Sequence, residues 1–123
     1  MRTIIDTHIF LHMLGNPARL STSHRSIVTD PQNDLASIWE ITTKYSLGKL
    51  QLPAPPEIIF PAQLQNFGIE LLPITLPEIL AVRHLPRHHN DPFDRLMIAQ
   101  ATVHNLPIIS DDAHFPKYGI HLI

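Results

Sequence analysis

Asp91-Pro92-Phe93-Asp94-Arg95-Leu96-Met97-Ile98-Ala99-Gln100-Ala101-Thr102-Val103-His104-Asn105 is the stretch on which the reading of the chain turns. Asp91 is an N-cap residue type, and Pro92 suits the first helical position, where the missing N–H has no partner to lose. Asn105 suits the left-handed residue that stops a helix. Between them Phe93, Leu96, Met97, Ile98, Ala99, Ala101 and Val103 cover most of the circumference. A helix apolar nearly all round must be buried, so other layers have to cover it.

Working outward, residues 107–110 follow this helix as a short strand, and residues 119–123 read as another. Residues 2–5 read as a short buried strand, β-branched at Thr3, Ile4 and Ile5 and ended by Asp6, and residues 69–74 are strand-like up to Pro73. Helices are expected over residues 7–14, 18–29, 37–47, 57–67 and 76–84, with stops at Gly15, Gly48 and Gly68 and a break or kink at Pro61. Strands alternating with helices imply right-handed βαβ units and a mainly parallel sheet between helical layers, a three-layer α/β/α sandwich. With 123 residues, one domain over residues 1–123 is expected.

Composition narrows the function. Hydrophobic residues make up 44% and charged residues 16%, enough for a packed core. The absence of cysteine excludes disulfides, thiolate zinc sites and cysteine nucleophiles, and suits a reducing cytoplasm. MRTIID resembles neither a signal peptide nor a span, and no membrane segment is expected. A net charge of −2 excludes nucleic-acid binding by a broad basic surface. Any such contact must be local, metal-assisted or shared with a partner.

The carboxylates fall in a telling place. Asp6 ends the first strand, Asp112 follows the strand at 107–110, and Glu40 and Asp94 sit in the first turns of helices. Ligands of open parallel sheets bind outside the carboxyl ends of the strands, where helices begin. Oxygen donors without cysteine or an HExxH motif favour a hard cation, Mg²⁺ or Mn²⁺. Each acid also suits a plain structural role. Ser37 and Glu40 fit a capping box, Asp94 suits the positive end of its helix, and Asp6 and Asp112 could merely start a helix or turn. Such roles do not require all four acids to share one sheet edge.

The ordered segments Ile4-Ile5-Asp6-Thr7-His8, Ser37-Ile38-Trp39-Glu40-Ile41, Leu47-Gly48-Lys49-Leu50, Asp91 to Ala101 and Leu106-Pro107-Ile108-Ile109-Ser110-Asp111-Asp112 resemble the PIN domain, specifically VapC-type toxins of bacterial toxin–antitoxin pairs. The resemblance implies a metal-dependent endoribonuclease acting on RNA in the cytoplasm, with an antitoxin partner and a homodimer. Asp6, Glu40 and Asp94 match the first three family acids. Asp112 matches the fourth, with Asp111 as the alternative, and Asp91 belongs to the DPFD motif, where it could assist the metal. Thr7 and Ser110 would hold the acids in place, and Arg95, Lys44 and Lys49 are the nearest candidates for phosphate contacts.

Several residues near these segments suit simpler roles. Lys44 is spaced to pair with Glu40 at i,i+4. His8 and His12 have the i,i+4 spacing of a zinc pair but lack the HExxH glutamate, so a plain helix face suits them better, and Arg87-His88-His89, which could flank a substrate groove, reads first as a polar loop. Residues 18–20, 58–60 and 64 are expected to form an apolar partner surface. Asp30-Pro31-Gln32-Asn33-Asp34-Leu35-Ala36 leaves little room for the family's second strand, so a truncated strand and a weakened metal site through drift of Glu40 are expected. Two rival classes follow: a PIN-fold protein that binds antitoxin or RNA without cutting, and a receiver-like phosphoacceptor. The receiver normally needs paired acids after the first strand, where Asp6 stands alone.

Overall fold

The computed structural model describes residues 2–28, 33–35 and 38–123. β1 (Thr3–Ile5) is buried throughout and leads into α1 (Thr7–Gly15). A 3-10 turn (Pro17–Arg19), α2 (Thr22–Val28), β2 (Asn33–Leu35) and α3 (Ile38–Ser46) follow. Then come α4 (Pro56–Phe67), β3 (Glu70–Leu71), α5 (Leu76–Val82), α6 (Pro92–His104), β4 (Ile108–Ile109) and a 3-10 turn (Phe115–Tyr118).

The four strands lie in the order β3-β2-β1-β4, and all pair in parallel. Ile4 stands opposite Asp34 and Ile108, and Ile5 opposite Leu35 and Ile109. Successive strand residues point to opposite faces. Ile4 and Ile108 therefore join Met97, Ile98 and Ala101 of α6, with Leu72 and Phe115, in one core. Ile5 and Ile109 join Ile9, Phe10 and Met13 of α1, Ile41 of α3 and Phe60 of α4 in the other. Helices thus cover both faces, as the circumference of α6 required. Each large apolar side chain so buried contributes roughly 1.5–3 kcal/mol.

α6 begins and ends as its sequence dictates. The Asp91 carboxylate accepts from the N–H groups of Phe93 (2.8 Å) and Asp94 (3.2 Å), and Asn105 stops the helix at φ 53°. Gly68 closes α4 in the same left-handed region, at φ 65°, and Pro61 lies inside that helix.

Four expectations need correction. The helix expected over residues 18–29 is divided, because the Ser21 hydroxyl accepts from the His24 N–H (3.1 Å) and starts α2 afresh. Residues 119–123 form no strand. After the 3-10 turn and left-handed Gly119, they reach β4 only through the bridge between Ile108 and Leu122. The expected partner surface at 18–20, 58–60 and 64 is core at its large residues: Leu20, Ile59 and Phe60 are buried and Leu64 packs against the cluster of Leu20 and Phe60, leaving Ala18, Arg19 and Ile58 exposed. Exposed apolar surface lies instead on β3 and α5, at Leu71, Leu76, Ile79 and Leu80. Finally β2, although short, is as long as β1 and is paired on both sides. Ser37 and the rest of the expected truncation, at residues 30–32 and 36, lie outside the described residues. Among the described residues no helix is long and apolar enough to cross a membrane.

Candidate metal centre

After β1 the chain builds outward to β2 and β3 on one side, and β4 is added on the other. The crevice where the order reverses lies between β1 and β4. Asp6 leaves β1 there and Ser110 leaves β4. The Ser110 hydroxyl donates to Asp6 Oδ2 at 2.6 Å, closing the gap between the two strand ends. Asp6 stands at the N-cap of α1, yet its side chain makes no capping bond, so helix capping does not account for it. Thr7 donates to Glu40 Oε1 at 2.8 Å, which ties α3 to the same edge. Glu40 is buried and held, and the drift expected from a short second strand has no counterpart in this geometry.

The N-termini of α3 and α6 meet beside this crevice. Carboxylate oxygens of Glu40, Asp91 and Asp94 lie within 4.8 Å of one another, and so do ligand atoms of Asp94, Asp112 and His89. Asp94 belongs to both sets. Burial pushes its carboxyl up to about 7, and the charges of Asp6, Asp91 and Glu40 push the same way, against His89. Burial also raises Asp6 above its ordinary value, with Glu40 adding to the rise and the Ser110 hydrogen bond opposing it. Carboxylates gathered this closely cannot all stay ionised without a cation. Their oxygen-rich donor set fits Mg²⁺ or Mn²⁺. Of the two acids after β4, Asp112 reaches this cluster, whereas Asp111 is exposed and lies 3.8 Å from His24. Burial would raise Asp112, but the His114 N–H and then His89 outweigh it and hold the carboxyl below its ordinary value.

His89, expected in a polar loop that could flank the substrate groove, instead joins the acid cluster itself. Its Nδ1 accepts from the Asp91 N–H at 3.2 Å, which leaves Nε2 as the protonated nitrogen. That nitrogen lies 3.0 Å from Asp112 Oδ2 and 3.1 Å from Asp94 Oδ2, bridging the two acids. The loop carrying it is fixed from two directions. Tyr118 Oη accepts from the His89 N–H (2.8 Å) and donates to the Pro86 carbonyl (2.8 Å). Arg95 donates to the carbonyls of Val82 (3.1 Å), Leu85 (3.3 Å), Pro86 (2.9 Å) and His89 (3.4 Å). The only sequence-level signal for His89 was its place two residues before the DPFD motif.

That use of Arg95 replaces the phosphate contact expected of it. One residue beyond Asp94 is about 100° further round a helix, and the turn carries its buried side chain away from the sheet edge, to the end of α5. Lys44 remains at the site, 2.5 Å from Glu40 Oε2, and its Nζ lies 6.0 Å from the Phe93 ring centre. Burial lowers the Lys44 amine, but Glu40 outweighs this and keeps it above its ordinary value. Lys49 is exposed in the turn after α3. His8 and His12 line a cleft of about 210 Å³ with Asp6, Ile9, Asp111 and Asp112. A larger cavity of about 480 Å³ lies near Arg2, Pro107 and His121, at the starts of the strands and remote from the acids.

The PIN domain model matches residues 3–120, and the chain belongs to that family. Its fold is similar to that of VapBC2 from Rickettsia felis bound to a DNA fragment from their promoter, with a TM-score of 0.73 at 13% identity, covering 100% of this chain and 98% of that one. DNA-bound VapBC from Salmonella typhimurium gives 0.71 at 14% identity, with coverage of 100% and 97%. A toxin–antitoxin complex from Klebsiella pneumoniae gives 0.57 at 14% identity, with coverage of 89% and 86%. At such identities the likeness is one of fold. No match was found among curated protein sequences.

Proposed function

We propose that this chain is a metal-dependent endoribonuclease, the toxin of a VapC-type toxin–antitoxin pair. In this reading Asp6, Glu40, Asp94 and Asp112, assisted by Asp91, hold Mg²⁺ or Mn²⁺ at the crevice between β1 and β4. The observation that carries the reading is Asp94, a carboxyl shared by two donor sets and raised to about 7 by burial and three neighbouring acids. Such a site has an unmet need for positive charge. A divalent cation held by these carboxylates would supply an activated water and would neutralise charge developing on the phosphodiester.

The chain's own residues set the geometry. Ser110 holds Asp6, Thr7 holds Glu40, and His89 aligns Asp94 with Asp112. Lys44, paired with Glu40 at the rim, is the cation best placed to meet a phosphate oxygen. An antitoxin partner accords with the VapBC complexes that share the fold. A homodimer would use the exposed apolar residues of β3 and α5, since exposed patches of this kind mark interfaces. The protein would act in the cytoplasm.

The test is RNA cleavage with Mn²⁺ by the wild type and by Asp6→Asn, which keeps the side chain's shape and removes its charge. The variant should lose at least about 100-fold in rate, since partners one shell further out already cost 10–100-fold. Its circular dichroism should be unchanged. An undiminished rate overturns the site. A wild type that binds Mn²⁺ and RNA but cuts nothing would favour the non-cleaving PIN-fold reading.

A further inference from the structure

The first turns of α3 and α6 each place an aromatic residue one position before an acid: Trp39 before Glu40, and Phe93 before Asp94. The two rings meet edge to face, with centroids 4.9 Å apart and planes at 72°. A neighbouring position on a helix points about 100° away, so the ring pair flanks the acid cluster rather than entering it. Phe10, Phe60 and Phe115 are buried in the cores, and Phe93 is half-buried. Trp39 is 60% exposed, whereas among the described residues no phenylalanine or tyrosine is exposed. It therefore covers little of the core, although Phe93 braces one side of it. Lys44 pairs with Glu40, and its Nζ lies 6.0 Å from the centre of the Phe93 ring.

We propose that Trp39 is a stacking platform for an unpaired nucleobase beside the scissile phosphate. The inference rests on the nuclease reading above and adds to it a residue that holds the substrate. A net charge of −2 gives no overall basic excess to grip a backbone, so local contacts have to supply much of the affinity. Every base presents a π-face, and stacking on an aromatic ring is largely indifferent to sequence. A paired base within a duplex has both faces covered, and the indole has nothing to stack on. Lys44, beside the braced ring pair, would meet the phosphate of the stacked nucleotide.

Trp39 is the sole tryptophan, so its emission reports on this one place. The probe is a mixed-sequence single-stranded RNA of about 16 nucleotides, titrated into the non-cleaving Asp6→Asn protein with Mn²⁺ present. The same strand in a duplex serves as comparison. The single strand should quench the emission and the duplex should not. Trp39→Ala, made in the same background, should weaken binding measured by anisotropy roughly 5- to 150-fold, the range of one base stack. Trp39→Phe should restore most of the affinity and Trp39→Leu should not. In otherwise wild-type protein, Trp39→Ala should raise KM more than it lowers kcat. RNA that is bound and cut with unchanged emission and unchanged Trp39→Ala affinity overturns the stacking role and leaves the nuclease reading standing. Equal rescue by Leu reduces the role to apolar contact and overturns it also. Quenching by a second protein chain but not by RNA makes Trp39 a protein interface and overturns it. If wild-type protein cuts no RNA and Asp6→Asn binds none, the nuclease reading falls and this inference with it.

Discussion

Glu78 and Asp94 occupy the same helical position, the third residue of α5 and of α6, and each helix has a proline in its first turn. Locally the two carboxyls have the same claim on a helix N-terminus, yet their surroundings drive them apart. Glu78 is fully buried, accepts from the Thr75 N–H at 2.7 Å and from Gln100 at 3.4 Å, and pairs with His104. Burial alone would raise it, but these donors outweigh burial and hold it below its ordinary value. Asp94 is half-buried beside three other acids and rises to about 7. The contrast shows that helix position does not decide whether an acid is structural. What decides is whether the fold has already supplied the positive partners.

The sharpest way to break the comparison is Asp94→Asn. Cleavage should fall by at least about 100-fold, while the metal-free protein near pH 8 gains about 1 kcal/mol, the usual trade between function and stability. A variant that loses stability in the absence of metal would mean Asp94 is structural, like Glu78. Glu78→Ala should behave in the opposite way. Removing the acceptor from His104, Gln100 and the Thr75 N–H should cost about 3 kcal/mol in denaturant unfolding. The protein that remains folded should cut at the normal rate. A cost below about 1 kcal/mol would show that the cluster between α5 and α6 is incidental.

The smallest effect concerns pH. The Asp94 carboxyl is raised in the folded protein, from 3.8 to about 7, so the folded state binds a proton that the unfolded state releases. This stabilisation is complete below the unfolded value and is lost as pH rises towards 7. A divalent cation removes the repulsion in the ionised form. The rise in Tm caused by Mn²⁺ should therefore be larger near pH 8 than near pH 5, by a few degrees. An equal rise at both would place the ion elsewhere.

Much of the candidate site's layout could be read from the sequence because its parts obey local rules. Asp6 ends an apolar strand, and Asp94 follows an N-cap by three residues. The alternation of strands and helices brings such positions to one edge. Arg95 could not be read, because its charge beside Asp94 says nothing of the turn that carries it to the carbonyls ending α5. His89 could not be read, because Tyr118 and Arg95, distant in sequence, fix its loop. The partner surface was misjudged at Leu20 and Phe60 because apolar composition does not distinguish a core face from an exposed one.

β1 has only three residues, and two neighbours within it serve different cores, Ile4 one and Ile5 the other. Neither half of the molecule can open without stripping a face of this strand. Protection against hydrogen exchange should then reach the global unfolding free energy on both sides of the sheet, with no separately melting half. Asp6 follows directly in the chain, so the first acid of the site shares the lifetime of the whole cooperative unit rather than that of a loop.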